Sequence, residues 1–274
     1  MGAQSADYIL GHPEGHIDPV SVLSHAFQSF TLQTLAEAGL EKGMRVLEFG
    51  SVNGDVALLA AEYVGRSGSV LGVEQSSEAV EYATRRAAAS GLDNLSFIES
   101  AIDDHLPFDR QFDAVVGRVI LMFLPHPEAT IRELAKHVRP GGLVIFQEPD
   151  MSWAKSVPHV PTVEQAAGWM REIFRLSGAN SEMGPRLHGV FKRAGLPDPR
   201  MRVDGLIYGA NGAGPALLTE TIRSMLPAIE QFGLASAAEI DIDTFEDRMR
   251  AELDAADATM SSPLLVSAWT RLPD

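Results

Sequence analysis

The sequence predicts an α/β fold in which helices cover both faces of a parallel sheet. Short apolar, β-rich runs alternate with amphipathic runs, and glycine or proline follows most of the helical runs. A glycine turn also joins the first predicted strand directly to a helix. With 274 residues, 45% of them hydrophobic, the chain can bury a sizeable core.

The predicted elements follow from these patterns in chain order. The N-terminal half is predicted as helix 20–38, strand 44–49, helix 54–64, strand 69–74, helix 77–89, strand 95–99, strand 112–117, helix 127–138 and strand 143–147. The C-terminal half is predicted as a helix from 162, helix 185–194, strand 201–208, helices near 215–230 and 244–256, and a last strand at 264–271. No repeat or linker interrupts the series, so we predict a single domain over residues 1–274.

The stretch that follows the first strand carries the main functional signal. Gly50 and Gly54 form a turn after strand 44–49, and the second strand ends on Glu74. Glycine lets backbone N–H groups come close to a ligand. An acid at the end of the second strand can accept both hydroxyls of a ribose. The pattern predicts a site for a nucleoside-containing cofactor, although the glycines alone also fit a tight turn without a ligand.

The spacing within this turn disfavours a dinucleotide. The G-x-G-x-x-G pattern would place its third glycine at position 55, which is Asp55. A carboxylate there would repel a diphosphate and favour a cationic or zwitterionic ligand. An NAD-dependent oxidoreductase is therefore the weaker alternative.

Composition excludes several other classes. The net charge is −15, with 37 acids against 22 bases, which argues against nucleic acid as a partner. The chain has no cysteine, so disulfides and thiolate metal sites are excluded. No apolar run is long enough for a membrane span, and the first ten residues do not resemble a signal peptide. We expect a cytoplasmic protein that does not bind membranes.

The order of elements and several motifs resemble the class I S-adenosylmethionine-dependent methyltransferases across residues 40–208 and 264–271. The nearest likeness is to bacterial small-molecule methyltransferases of the ubiquinone/menaquinone type. The motifs are Glu48-x-Gly50-x-Val52-x-Gly54, Phe112 to Arg118, Arg139-Pro140-Gly141-Gly142 and Phe146 to Asp150. The resemblance implies a Rossmann-like, seven-stranded, mostly parallel sheet with helices on both faces, plus a helical lid and insertions. It further implies a lid at 1–40, a cofactor core at 41–150 and substrate-side helices with strand 201–208 within 151–263.

The resemblance also implies a set of contacts to S-adenosylmethionine, which becomes S-adenosylhomocysteine. Glu48 would lie near the methionine amino group, Gly50, Ser51 and Gly54 under the middle of the cofactor, Glu74 at the ribose, Gln75, Ala101 and Ile102 at the adenine, and Arg118 at the methionine end. Two positions depart from the family pattern, since Val52 replaces a glycine and Ala101 an aspartate. A catalytically inactive cofactor-binding protein is therefore a second alternative.

Methyl transfer from a sulfonium mainly requires alignment of the acceptor and exclusion of water. A hydroxyl or carbon acceptor usually needs a base as well. The candidate bases are His12 and His25 in the N-terminal segment and Glu148 after the fifth strand, and no metal is expected. Apolar side chains in the appended helices (Trp153, Trp169, Met170, Phe174, Tyr208 and Met225) would suit a hydrophobic or aromatic acceptor.

The sequence therefore predicts transfer of a methyl group to oxygen or nitrogen, less readily to carbon, of a small metabolite in specialised metabolism. Assembly as a homodimer stays open.

Overall fold

A computed structural model describes residues 19–100 and 112–274, with side chains described from residue 26 onward. The helices are α1 (Pro19–Ala38), α2 (Asp55–Val64), α3 (Ser77–Ala89), α4 (Pro127–Ala135), α5 (Pro161–Leu176), α6 (Met183–Ala194), α7 (Gly214–Gln231), α8 (Ala237–Ile240) and α9 (Ile242–Ala255). The strands are β1 (Arg45–Phe49), β2 (Ser69–Glu74), β3 (Leu95–Glu99), β4 (Phe112–Arg118), β5 (Val138–Asp150), β6 (Ser156–Val157), β7 (Arg200–Asp204), β8 (Ile207–Tyr208), β9 (Thr259–Ser261) and β10 (Leu264–Arg271). Two single 3-10 turns lie at Leu121–Phe123 and Met151–Trp153.

Seven strands form one sheet in the order β3-β2-β1-β4-β5-β10-β7. The pairs β1–β2, β2–β3, β1–β4 and β4–β5 are parallel. The predicted α/β class with a mostly parallel, seven-stranded sheet is confirmed.

The direction of the strand order reverses at β1. Strands β2 and β3 extend the sheet on one side of β1, whereas β4 and β5 extend it on the other. Because crossovers between parallel strands are right-handed, α2 and α3 cover one face of the sheet and α4 covers the opposite face. The reversal leaves a crevice beyond the carboxyl ends of β1 and β4, where ligands bind in open α/β sheets.

The core around β1 is built from small and β-branched side chains. Val46 in β1 and Val116 in β4 are fully buried, and they pack with Ala57 and Ala60 of α2. The alanines let α2 approach the sheet closely, which suits a helix that begins directly at a turn after β1. The sequence thus places the amino end of α2 beside the carboxyl edge of the sheet.

A buried polar network ties α1 to the sheet. The Gln147 side-chain amide donates to Ser267 Oγ at 2.8 Å and to Thr34 Oγ1 at 3.2 Å, and the two hydroxyls lie 2.9 Å apart. All three residues are buried. Since buried polar groups cost free energy unless they are paired, this network fixes the position of α1 on β5 and β10.

The chain divides into two compact units. The core unit contains residues 27–148, 183–203 and 265–274, and therefore all seven strands of the large sheet except a few terminal residues. The helical unit contains residues 149–182 and 204–264, together with residues up to 26. In the helical unit, β6, β9 and β8 form an antiparallel sheet, and the rings of Trp169 and Phe245 lie 6.1 Å apart. The single domain and its internal boundaries stay a prediction.

Several predicted elements differ from the structure. Strand 143–147 is part of the longer β5 (Val138–Asp150), and α8, β6 and β9 were not predicted. Strand 201–208 is two strands that belong to different sheets, and Gly205 and Leu206 separate them. A Cβ at Gly205 would lie 2.6 Å from Leu264 Cδ2. Helix 127–138 ends at Ala135, since Val138 already pairs with Phe112 in the sheet. Strand β5 then passes through an irregularity at Gly142, where a Cβ would lie 2.4 Å from Val138 Cγ1.

Candidate cofactor-binding site

The turn between β1 and α2 is held in a left-handed backbone conformation. Gly50 has φ 76° and Gly54 has φ 78°, values that glycine adopts without strain. The N–H groups of Gly50 and Ser51 donate to Val73 O at 3.0 and 3.2 Å, which fixes the turn to the end of β2. A Cβ at Gly50 would lie 2.6 Å from Ile120, and one at Gly54 would lie 2.9 Å from Phe97. Both glycines are therefore required by the turn itself, whatever ligand it meets.

Val52 occupies the same turn with φ 44°, although it is β-branched. Its N–H donates to Glu74 Oε2 at 3.0 Å. The other oxygen of Glu74 accepts from the N–H groups of Gln75 and Ser76 at 2.8 and 3.0 Å. The carboxylate at the end of β2 therefore holds both the glycine turn and the entry to α3.

Glu48 lies buried at the end of β1, where the hydroxyl of Ser51 donates to it. Burial raises its pKa to about 8, and the nearby acids Glu74 and Asp55 act in the same direction. The Ser51 hydrogen bond and the charge of Arg118 oppose this rise. A cationic group placed beside Glu48 would relieve the cost of ionising it.

Asp55 at the first position of α2 is not a free charge. Arg86 Nη1 lies 2.6 Å from its Oδ1, and the same nitrogen donates to the carbonyl of Asn53. Because this ion pair offsets the carboxylate, Asp55 argues against a diphosphate less strongly than the sequence alone indicated. The remaining argument against a dinucleotide is Val52, which stands where the dinucleotide pattern has its second glycine.

Arg118 ends β4 and its Nη1 donates to Thr31 Oγ1 of α1 at 3.0 Å. The sheet edge thus brings Glu48, Ser51, Glu74 and Arg118 close together, whereas their contacts with a cofactor stay a prediction. Gln75 follows Glu74 and is exposed.

Glu148 is fully buried in β5 and is held by backbone groups. It accepts the N–H groups of Ile120, Leu121 and Met122 at 3.0, 2.7 and 3.2 Å. Burial raises its pKa to about 7, against the lowering effect of these three bonds. A base must reach its substrate, and this carboxylate has no exposed surface. Its catalytic role stays a prediction, whereas its contact with the segment after β4 is observed.

The segment after β4 is apolar and begins with a second left-handed valine. Val119 has φ 54° and its N–H donates to Gln147 O at 2.8 Å. Ile120, Phe123 and Leu124 are partly exposed, and Ile120 packs against the Gly50 turn. The sequence analysis missed this segment and Arg86. A run of six apolar residues from 119 to 124, directly after a strand, was the available signal for the segment.

His12, Ala101 and Ile102 lie outside the described residues, as does the side chain of His25. Among residues 26–100 and 112–274, no group of three or more His, Asp or Glu side chains lies close enough to hold a metal ion. No helix in the described ranges is long and apolar enough to cross a bilayer.

The apolar candidates of the helical unit are mostly core. Trp169, Met170, Phe174 and Met225 are buried within it. Trp153 is half-exposed, with Lys155 Nζ 4.6 Å from its ring centre.

A separate surface cavity of about 290 Å³ is lined by the first residues of β1 to β4, among them Arg45, Ser69, Leu95 and Phe112. It lies at the amino ends of the strands, opposite to the glycine turn. Ligands of parallel sheets bind at the carboxyl ends, so this cavity is not the candidate site.

The residues at the carboxyl edge suit S-adenosylmethionine. Glu48 and Glu74 place two carboxylates beside the turn, which matches a ligand with an ammonium, a sulfonium and a ribose diol.

Comparisons with known proteins identify the family of this chain. The family described as "Methyltransferase domain" matches residues 40–195. Arsenite methyltransferase from Aquipseudomonas alcaligenes is 31% identical over 121 residues, which are 42% of this chain and 35% of that protein. Ubiquinone biosynthesis O-methyltransferase from Escherichia coli O127:H6 is 29% identical over 136 residues, 48% of this chain and 53% of that protein. The matched region thus spans only a third to a half of these relatives.

Among solved structures, the YcgJ protein from Bacillus subtilis superposes with a TM-score of 0.58 at 16% identity, covering 91% of this chain and 99% of that one. This likeness supports the fold alone. Since the family match covers more than half of the chain, the protein belongs to the methyltransferase domain family, and the resemblance to the class I S-adenosylmethionine-dependent methyltransferases is confirmed.

Proposed function

We propose that this chain transfers a methyl group from S-adenosylmethionine to an oxygen or nitrogen atom, less readily to carbon, of a small hydrophobic or aromatic acceptor. The observation that carries the proposal is the juxtaposition of two carboxylates with an apolar segment at one sheet edge. Glu48 and Glu74 lie on the β1–β2 side of the edge, and Ile120 lies on the β4 side, against Gly50. Family membership favours neither an NAD-dependent oxidoreductase nor an inactive binding protein.

The carboxylate of Glu74 would accept the two ribose hydroxyls in addition to the backbone N–H groups of Val52, Gln75 and Ser76. Glu48 would take the ammonium of the methionine moiety, with Ser51 orienting the carboxylate. Because Gly50 and Gly54 have no side chains, the backbone of the turn could approach the cofactor closely. Arg118 would lie at the methionine carboxylate. Gln75, Ala101 and Ile102 are proposed for the adenine.

The acceptor would lie against Ile120, Phe123 and Leu124, which are partly exposed at the reversal of strand order. An apolar surface there suits the ring or chain of a hydrophobic metabolite and excludes water from the reacting atoms. The ubiquinone relative is named as an O-methyltransferase, which favours oxygen. The other relative is named for arsenite, but trivalent arsenic seeks soft thiolates and this chain contains no cysteine.

The cofactor supplies a methyl group on a good leaving group, so the protein mainly aligns the acceptor with it. Glu148 fixes residues 120–122 and thereby the apolar wall of the site. A hydroxyl acceptor would lose its proton to His12 or His25, which we retain as candidate bases. No metal enters this scheme. The same proposal includes a small molecule as the acceptor, with neither nucleic acid nor a membrane as a partner. It also includes a role in specialised metabolism, a cytoplasmic location and assembly as a homodimer.

The proposal is tested with methyl-labelled S-adenosylmethionine and a panel of phenols, catechols, carboxylic acids, amines and enols. Label in one acceptor class, with an equal amount of S-adenosylhomocysteine, is the expected result, and fragmentation by mass spectrometry identifies the methylated atom. The matched control is Glu74→Gln, in which both signals should fall together. Tight cofactor binding without S-adenosylhomocysteine from any acceptor would favour an inactive binding protein. Binding of NAD in place of S-adenosylmethionine would overturn the proposal.

A further inference from the structure

Besides Glu74 at the end of β2, a side chain of α3 also holds the glycine turn, and this side chain is Arg86. Arg86 Nη1 lies 2.6 Å from Asp55 Oδ1 and donates to the carbonyl of Asn53. Asn53 follows Val52 directly, and Asp55 is the first residue of α2. Arg86 is 28% exposed and Asp55 only 15%, so water competes weakly for this pair.

The position of Arg86 follows from how α3 packs. The helix buries a stripe of small residues (Ala79, Ala83 and Ala87). A Cβ at Gly54 would lie 3.2 Å from Ala83 Cβ, so this stripe passes close to the turn. Arg86 lies three residues beyond Ala83, on the neighbouring helix position, and its guanidinium also rests 5.9 Å from the Tyr82 ring centre.

The turn needs such support because Val52 has φ 44°. A β-branched residue disfavours this conformation, which persists only where the surroundings impose it. Here Glu74 holds the N–H of Val52, and Arg86 holds the next carbonyl and the first side chain of α2. Two side chains from the β2–α3 segment therefore fix the turn on both sides of its strained residue.

We infer that Arg86 is a positioning residue for cofactor binding: it holds residues 52–55 in the binding conformation and compensates for the valine at position 52. Arg86 acts through the turn and does not itself contact the cofactor. The inference rests on the proposed function, because the turn is taken as the cofactor site.

A double-mutant cycle between positions 86 and 52 tests this role. Calorimetric titration with S-adenosylhomocysteine, which does not react, gives the affinity. Arg86→Met should weaken binding about tenfold, the factor expected when one strained residue is released. In a Val52→Gly background the same change should weaken binding only about twofold, because glycine adopts the left-handed conformation without support.

The matched control is Arg85→Met. Arg85 lies on the same helix, 6.0 Å from the same tyrosine ring, but it is 67% exposed and pairs with the exposed Glu81 at 3.8 Å. This variant should bind S-adenosylhomocysteine as the parent does. Thermal unfolding without ligand is recorded for every variant, and should Arg86→Met fail to fold, Arg86→Lys replaces it in the same cycle.

An equal loss of affinity in the Val52 and Val52→Gly backgrounds would overturn the positioning role, since a general structural effect does not depend on residue 52. Unchanged affinity in Arg86→Met would overturn it as well. Both results leave the proposed function intact as long as the parent binds S-adenosylhomocysteine. A parent that does not bind it would overturn the proposed function and this inference together.

Discussion

The carboxylate of Glu74 accepts the backbone N–H of Val52 at 3.0 Å and so holds a β-branched residue in the left-handed region. Glu74 is also the residue proposed to meet the cofactor ribose. The same side chain therefore shapes the turn and is proposed to meet the ligand.

Val52→Gly should stabilise the protein by about 1 kcal/mol, because glycine removes the left-handed penalty at φ 44°. Thermal unfolding should shift upward by roughly 2–4 °C for a chain of this size. The control is Val203→Gly in β7, where the valine is exposed and no left-handed φ occurs. There the glycine should destabilise by about 0.5–1 kcal/mol. A lower unfolding temperature for Val52→Gly would contradict the assignment of strain.

Glu74→Gln should weaken cofactor binding by about 10-fold to 100-fold. The amide keeps one acceptor, loses the charge and turns an NH2 group toward backbone donors. Calorimetry with S-adenosylhomocysteine measures the effect. The control Glu78→Gln changes an exposed acid in the first turn of α3 and should leave the affinity unaltered. Equal affinities of the two variants would show that Glu74 does not face the ligand.

The stability of the protein should fall as the pH rises from about 4.5 to about 8 because of Glu48. The folded state keeps the proton on this carboxyl up to a pKa of about 8, whereas the unfolded state loses it near 4.5. The unfolded state therefore binds fewer protons in this window, and the free energy of unfolding decreases by at most about 1.4 kcal/mol per pH unit.

Denaturant unfolding at a series of pH values measures this slope, and Glu48→Gln should flatten it up to pH 8. Glu148 has a pKa of about 7 and contributes with the same sign over a narrower range. In the matched variant Glu148→Gln, the slope of the unfolding free energy against pH should therefore differ from that of the parent only up to about pH 7. Parallel pH profiles of the parent and Glu48→Gln would refute the prediction.

Cofactor binding at pH 7 should release up to about one proton. Glu48 carries its proton at this pH in the free protein, and an ammonium placed beside it would favour the carboxylate. Calorimetric titrations in two buffers with different ionisation enthalpies give the number of protons released. Glu48→Gln should release none from this site, and a buffer-independent enthalpy for the parent would rule the coupling out.

Glu148→Ala should destabilise the protein by about 3 kcal/mol, because one part-buried and two buried N–H groups lose their acceptor. A general base would behave differently, since its loss would lower kcat by about 10²–10⁴ and leave the unfolding temperature unchanged. Unfolding and steady-state kinetics on the same preparation separate the two roles. An unaltered unfolding temperature with a large loss of kcat would assign Glu148 to catalysis.

Local sequence patterns were sufficient for the alternation of strands and helices. Strands 69–74 and 95–99 have the predicted bounds, because their apolar runs are closed by polar or glycine residues on both sides. The position of Glu74 at a strand end followed from the same pattern.

Contacts distant in sequence were not predictable from those patterns. Arg86 reaches Asp55 across 31 residues, and Glu148 reaches Leu121 across 27. Gly205, where strand 201–208 divides, lies close to Leu264, which only the folded chain brings near. Such contacts are set by tertiary packing, whereas propensity and periodicity report on neighbours along the chain.

The left-handed valine has a consequence for how this turn can change over evolutionary time. A glycine carries its backbone freedom in its own covalent structure, so its neighbours can vary independently. At position 52 the left-handed conformation is instead imposed by contacts with Glu74 of β2 and Arg86 of α3. Related chains with glycine at this position should tolerate many residues in place of Arg86, whereas chains with a branched residue there should retain a side chain that can bridge Asn53 and Asp55.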